Sequence, residues 1–250
     1  MQNMTETKQK SADQIAARMT GVDLTLDGKP VLTDVSVTLA HPRIGVVGRN
    51  GSGKTSFSRV LCGLQAPTSG QIRIDGMDPA KNRKAALQVV GILFQNPDHQ
   101  IIFPTVIEEV SFGLKQQGHD TPETAALDVL ARFGKAHWKD AHIYSLSQGQ
   151  KQLVCLMSIL AMNPKLVILD EPFSGLDIPT RRQIQRFLDR YEGTLVHVSH
   201  DPRDLAEYDH IIWIDQGRLH EEGHPADILP RYEDAMNKIG EGDDISDLSS

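Results

Sequence analysis

The run Arg43-Ile44-Gly45-Val46-Val47-Gly48-Arg49-Asn50-Gly51-Ser52-Gly53-Lys54-Thr55-Ser56 decides how this 250-residue chain folds. Its first five residues form a compact apolar stretch, its middle is rich in glycine, and Lys54 to Leu64 has amphipathic spacing. Strand, loop and helix are therefore predicted in that order. Gly48 and Gly53 have four residues between them and are followed by Lys54 and Thr55, the spacing of a phosphate-binding loop. Glycine lets backbone N–H groups converge on phosphate oxygens, and the helix N-terminus adds a favourable dipole. Lys54 neutralises the charge of the β and γ phosphates, and Thr55 is placed to ligate Mg²⁺. Gly48, Arg49, Asn50, Gly51, Ser52, Gly53, Lys54, Thr55 and Ser56 are thus expected to bind the phosphates of a nucleotide.

Upstream of this run, Val22, Leu24 and Leu26 alternate with polar residues, as do Val31, Val35 and Val37 after the Asp27-Gly28 turn, so antiparallel strands are predicted. Downstream, Ser69 to Asp75 and Val89 to Phe94 read as strands. From Thr105 to Met162 the spacing is helical, with breaks at Gly118, Pro122, Gly134 and Pro164. The β-branched runs Leu166 to Leu169, Thr194 to Ser199 and His210 to Ile214 then alternate with helical segments, the pattern that builds a parallel sheet. The expected class is α/β: a phosphate-loop NTPase core with a parallel sheet, an N-terminal antiparallel β layer and a helical subdomain. One domain is expected over 20–240, with its core in 20–104 and 163–240 and the helical part in 105–162. It is flanked by a polar leader, 1–19, and an acidic, disordered tail, 241–250.

Composition narrows the function. With 26 basic and 33 acidic residues the chain carries a net charge of −7, which argues against neutralising the phosphates of nucleic acid. The first twenty residues lack the apolar run of a secretory signal. The near-apolar stretch Leu153 to Met162 is about half of what crosses a bilayer. Cys62 and Cys155 lie in apolar helical patterns and read as buried thiols of a reducing compartment, so the cytosol is expected.

Leu166-Val167-Ile168-Leu169 delivers Asp170 and Glu171 to the C-terminal end of a strand, where open α/β sheets bind ligands. Asp170 is the expected Mg²⁺ partner, and Glu171 is placed to orient or deprotonate the water that attacks the γ-phosphate. Leu146-Ser147-Gln148-Gly149-Gln150 then resembles the signature sequence of the ABC ATPase family, directly before an apolar helix. Gln148 stands where that family usually has glycine, while Ser147 and Gly149 are kept. The helix-capping role of Ser147 holds under any reading.

The other motifs follow in the order that family has: Gln95 after a core strand, Ser174-Gly175-Leu176-Asp177 after Glu171-Pro172, and His200 after a β-branched strand. The resemblance covers roughly Val22 to Asp227 and implies roles for these residues. Gln95 senses Mg²⁺ and the attacking water, His200 contacts the γ-phosphate, and Asp177 lies in the dimer-bridging loop. Ser147, Gly149 and Gln150 act in trans on the nucleotide of the partner ATPase, so a homodimer or a heterodimer with a paralogue is implied. At the position where relatives stack an aromatic ring on adenine stands Leu26, which offers area but no π face.

Gln95-Asn96-Pro97-Asp98-His99-Gln100-Ile101 resembles the corresponding run of the energy-coupling-factor importers of vitamins and transition-metal ions. That resemblance implies a transmembrane coupling subunit and a substrate-binding membrane subunit as partners, with this chain peripheral on the cytoplasmic face of the membrane. Gln95 and the following residues to Phe103 are expected to form one wall of a groove for a membrane-subunit helix, with Glu108 and Glu109 as an acidic rim near Phe112. Ala40-His41-Pro42-Arg43 stands where many relatives have Gly-Glu, which favours biotin as substrate, a cobalt or nickel importer being the alternative. A soluble ATPase acting on nucleic acid or ribosomes is the rival from another class, and the acidic composition counts against it. His220-Glu221-Glu222-Gly223-His224 fits the two-histidine zinc-protease pattern, but Gly223 and Pro225 deny it the helix that the pattern needs.

Overall fold

The computed structural model describes residues 16–241, so positions 1–15 of the expected leader and all but Glu241 of the expected tail lie outside the described residues. Along the chain run β1 (Ala17–Leu26), β2 (Lys29–Leu39), β3 (Arg43–Val47), α1 (Lys54–Leu61), β4 (Ser69–Ile74), α2 (Arg83–Val89), β5 (Val90–Leu93) and α3 (Val106–Gln116). They are followed by α4 (Pro122–Arg132), α5 (Gln148–Ala161), β6 (Leu166–Asp170), α6 (Ile178–Asp189), β7 (Thr194–Val198), β8 (His210–Asp215), β9 (Arg218–Gly223) and α7 (Pro225–Gly240). The α/β class read from the sequence is the class observed. Two compact units divide the chain, one with the described residues up to Leu87 and from Thr194, the other Gln88–Gly193.

In the first unit, β1 pairs antiparallel with both β2 and β4. It starts at Ala17, earlier than the leader boundary expected at residue 20. Ala17 and Met19 are buried, but a register shift between Met19 and Val22 switches the inward face from odd to even positions. That bulge breaks the two-residue period on which the sequence reading relied. Strand β3 lies between β7 and β8, parallel to both, and its Ile44, Val46 and Val47 are fully buried. Helix α1 buries Phe57, Val60 and Leu61 and stops short of the expected Leu64, because Gly63 turns into left-handed backbone at φ 77°.

Strand β9, antiparallel to β8, has no counterpart in the sequence reading, since Arg218-Leu-His-Glu-Glu-Gly carries a single large apolar residue. Its signal is the two-residue loop Gln216-Gly217, with φ of 46° and 73°, the backbone that tight hairpins require. His220 therefore sits in a strand, while His224 caps α7 by accepting from Ala226 N–H at 3.2 Å. The zinc-protease pattern is not on a helix. Helix α7 is held by a cluster of Val47, Leu205, Ile211, Trp213, Ile228, Leu229 and Tyr232.

In the second unit, β5 and β6 run parallel, and Gly91 lets α5 lie directly on β5: a Cβ there would stand 2.3 Å from Ile159 Cγ2. Helices α3, α4 and α5 occupy the stretch read as helical. Helix α3 opens with a capping box in which the Glu108 carboxylate accepts from Thr105 N–H at 3.2 Å. Both cysteines are free thiols. Burial pushes the Cys62 thiol up to about 11 and raises that of Cys155 further. No helix among the described residues is long and apolar enough to cross a membrane.

Candidate functional site

In the first unit the loop between β3 and α1 is shaped by what glycine leaves out. A Cβ on Gly48 would stand 2.2 Å from the Ile214 carbonyl oxygen and 2.5 Å from Ser52 Oγ, so no side chain fits. Gly53 has φ 103°, and a Cβ on it would approach the Val31 carbonyl oxygen to 3.0 Å. Lys54 is 7% exposed, and its Nζ donates to the carbonyls of Gly48 at 2.7 Å and Arg49 at 2.8 Å. The ammonium is thereby fixed over the loop.

Two observations suit this cradle to phosphate. Ser52 Oγ is buried without a hydrogen-bond partner among the described residues, a costly state that an anionic acceptor would relieve. Helix α1 has neither a side-chain cap nor an acidic residue in its first turn, so its leading N–H groups and its dipole are left for an anion. The loop is braced from behind by the β8–β9 turn. Gly217 N–H donates to the Ser52 carbonyl at 2.9 Å, and its own carbonyl accepts from Thr33 N–H at 2.8 Å. Gly217 is a supporting residue that the sequence reading missed. Its signal lay in the Gln216-Gly217 dipeptide.

Strand register brings His200 to the same end of the sheet as the loop. Val46 of β3 pairs with Val198 of parallel β7, and Ser199 N–H donates to the Val46 carbonyl at 3.1 Å. Gly48 and His200 each lie two residues beyond this pair, and His200 is exposed.

The second unit repeats the arrangement. Leu93 of β5 pairs with Leu169 of parallel β6, so Gln95 and Glu171, each two residues further on, leave the pair from one end. Asp170 is 4% exposed. Glu171 has φ 52°, although it carries a side chain and precedes Pro172. Left-handed backbone at such a residue costs about 1–3 kcal/mol and persists where surrounding structure imposes it, as at active sites. In this unit Gln95 and Glu171 are brought to one strand end.

Ser147 and Gln150 hold each other in a capping box at the start of α5: Ser147 Oγ accepts from Gln150 N–H at 3.3 Å, and Gln150 Oε1 accepts from Ser147 N–H at 2.8 Å. Gly149 faces the start of α6, where a Cβ would stand 3.0 Å from Thr180 Cγ2 and 3.4 Å from Leu176 Cδ2. Gln148, the departure from the signature, is exposed on the first turn. Asp177 caps α6 and accepts from Thr180 N–H at 2.9 Å. The Thr180 hydroxyl and then its N–H hold the Asp177 carboxyl below the usual carboxylate value.

One expectation is overturned. Glu109 is no rim residue: it is 7% exposed, and its Oε2 accepts from the N–H groups of Ile102 and Phe103, both at 2.9 Å. Two adjacent amides that lack sheet partners draw the carboxylate inward. Glu108 stays exposed but is engaged in the capping box of α3.

Comparison with known proteins bears on this arrangement. The family model described as ABC transporter matches residues 32–174. The biotin transport ATP-binding protein BioM of Rhodobacter capsulatus is 47% identical over 222 residues, 87% of this chain and 94% of that protein. The chain belongs to the ABC transporter family, as one of its ATP-hydrolysing members. The energy-coupling factor transporter ATP-binding protein EcfA1 of Lacticaseibacillus paracasei is 37% identical over 79% of this chain and 74% of its own. Among solved structures, cbiO1 of Clostridium perfringens, part of the ABC transporter complex cbiONQ, superposes with a TM-score of 0.75 at 26% identity, covering 90% of this chain and 94% of that one.

Proposed function

We propose that this chain is the ATPase subunit of an energy-coupling-factor importer for biotin, and that it works as one half of a dimer closed by ATP. The observation that carries this reading is the 47% identity to the Rhodobacter capsulatus biotin transport protein over 94% of that protein's length. The run Gln95 to Ile101 and the relation to the cbiO1 and EcfA1 proteins support the importer type.

Gly48 to Ser56 hold the phosphates, with Lys54 as the fixed positive charge. Thr55, Gln95 and Asp170 each offer a hard oxygen donor, of the kind that suits magnesium rather than a softer metal. When bound there, the ion would neutralise charge on the phosphate oxygens. Glu171 orients and deprotonates the attacking water, Gln95 contributes to placing that water, and His200 contacts the γ-phosphate. Ser147, Gly149 and Gln150 serve the nucleotide of the partner ATPase, a second copy or a paralogue, and Asp177 bridges the pair. Residues 20–104 and 163–240 act as the nucleotide-binding core, and 105–162 as the helical subdomain.

The segment Gln95 to Phe103 receives a helix of a transmembrane coupling subunit, a second membrane subunit takes the biotin, and this chain sits peripherally on the cytoplasmic face. Ile102 at 68% exposure and Tyr144 at 75% leave apolar surface for such a contact. Ile143 N–H donates to the Pro104 carbonyl at 2.9 Å, which holds Tyr144 next to that segment. The acidic rim reduces to Glu108, since Glu109 is turned inward.

The test is Glu171→Gln, read by ATP binding, ATP turnover and uptake of radiolabelled biotin by cells carrying the transporter. Binding should survive while turnover falls by about 100-fold or more and uptake stops. Turnover within about threefold of wild type would remove Glu171 from its role. Uptake of cobalt or nickel instead of biotin would overturn the substrate and leave the ATPase mechanism standing.

A further inference from the structure

Gln95 is joined to β5 through one residue, Phe94, which is held by side chains. Phe94 N–H donates to Gln100 Oε1, and the Phe94 carbonyl accepts from Gln152 Nε2, both at 3.2 Å. A peptide unit is planar, so fixing this carbonyl fixes the plane from which Gln95 departs. Gln152 is 3% exposed in the second turn of α5. Beside it, Lys151 Nζ lies 2.7 Å from Asp98 Oδ1. Asp98 is set by a short turn, in which Asn96 Oδ1 accepts from Asp98 N–H at 3.0 Å. The segment from Phe94 to Ile101, which includes the Gln95–Ile101 run singled out in the sequence as a family resemblance, is thus fastened through Phe94 and Asp98 to the helix that opens with Ser147, Gly149 and Gln150.

We infer that Asp98, Lys151 and Gln152 are positioning residues that make the approach to Gln95 and the start of α5 move as one body. The inference rests on the roles proposed above for Gln95 and for the signature residues. A displacement of Gln95 by the nucleotide of its own chain is then passed to Ser147 and Gly149, which serve the nucleotide of the partner ATPase. Each site conditions the other through bonds made inside one chain. The two fastenings differ in strength. The Lys151–Asp98 pair has side-chain exposures of 17% and 54% and is partly screened, whereas Gln152 is buried and its loss would strand the part-buried Phe94 carbonyl.

The experiment measures kcat and KM for ATP, and Tm, on the full-length chain carrying Asp98→Asn, Lys151→Met, both together, or the charge exchange Asp98→Lys with Lys151→Asp. Each single change should lower kcat about threefold to fivefold, leave KM within about twofold, and shift Tm by no more than about 2 °C. The double neutral variant should lose no more than either single one, and the charge exchange should recover at least about half of the wild-type rate. Gln152→Met should lower kcat at least as far, again with KM kept. Single variants at the wild-type rate, additive losses, or an exchange without recovery would each overturn the proposal. Gln95→Ala, measured alongside, separates the two readings. If it hydrolyses ATP at the wild-type rate, the role of Gln95 falls and this inference with it. If it is slow while Asp98→Asn and Lys151→Met are not, the coupling alone falls.

Discussion

Replacing Glu109 by alanine removes the acceptor that two consecutive backbone N–H groups share. Ile102 N and Phe103 N each lie 2.9 Å from Glu109 Oε2, and the residue is 7% exposed, so water reaches the vacated space poorly. A buried donor left without a partner costs about 1–3 kcal/mol. The two N–H groups are only part-buried, which places the total near about 3 kcal/mol rather than at the upper sum. For a domain of this size that lowers Tm by about 6–12 °C. Glu109→Gln keeps an oxygen in place but gives up charge-assisted bonds for neutral ones, and should cost about half as much. Glu108→Ala loses only a helix cap, about 0.5–2 kcal/mol. Urea unfolding followed by circular dichroism, at constant m-value, measures all three. The reasoning is refuted if Glu109→Ala stays within about 0.5 kcal/mol of wild type, or if Glu108→Ala proves the more damaging. Glu109→Lys would strand both amides and put a positive charge where the carboxylate stood, so the proposed contact with a membrane subunit is better tested at Ile102 or Tyr144.

Gly48→Ala places a methyl group 2.2 Å from the Ile214 carbonyl oxygen. The loop must shift, and the Kd for a fluorescent ATP analogue should rise at least about tenfold, so an unchanged Kd would show that the cradle is not the phosphate site. The thiol of Cys62 titrates near 11 in the fold against an ordinary value of 9.0, because burial disfavours the thiolate. The folded state holds its proton longer than the unfolded chain does, so this contribution is complete below about pH 9 and is lost as the pH rises through about 11. It amounts to about 2–3 kcal/mol. Cys62→Ala should flatten stability over that range, and a curve as steep as that of wild type would refute the assignment.

The sequence was readable wherever the decisive bonds span a few residues. The glycine-rich turn between β3 and α1 is one such place, since Gly48 and Gly53 stand where a Cβ would crowd its neighbours. The caps at Ser147 and Asp177 are others, because a cap joins residues three apart. Strand β9 escaped because it is an edge strand with little apolar content, and the start of β1 escaped because a bulge interrupts its period.

By itself the sequence determined the α/β class, the glycine-rich turn between a strand and a helix, the acidic pair after a buried strand and the family, since these follow from residue type and near-neighbour spacing. Only the tertiary structure decided which strand ends meet. Register puts Gly48 with His200 through the Val46–Val198 pair and Gln95 with Glu171 through the Leu93–Leu169 pair, each across more than seventy residues. It also decided that Gly217 backs the loop between β3 and α1, that Gln152 grips Phe94, and that Glu109 turns inward. These bonds form because packing leaves particular backbone groups without a sheet or helix partner, and a buried amide or carbonyl takes whichever side chain the fold brings within reach.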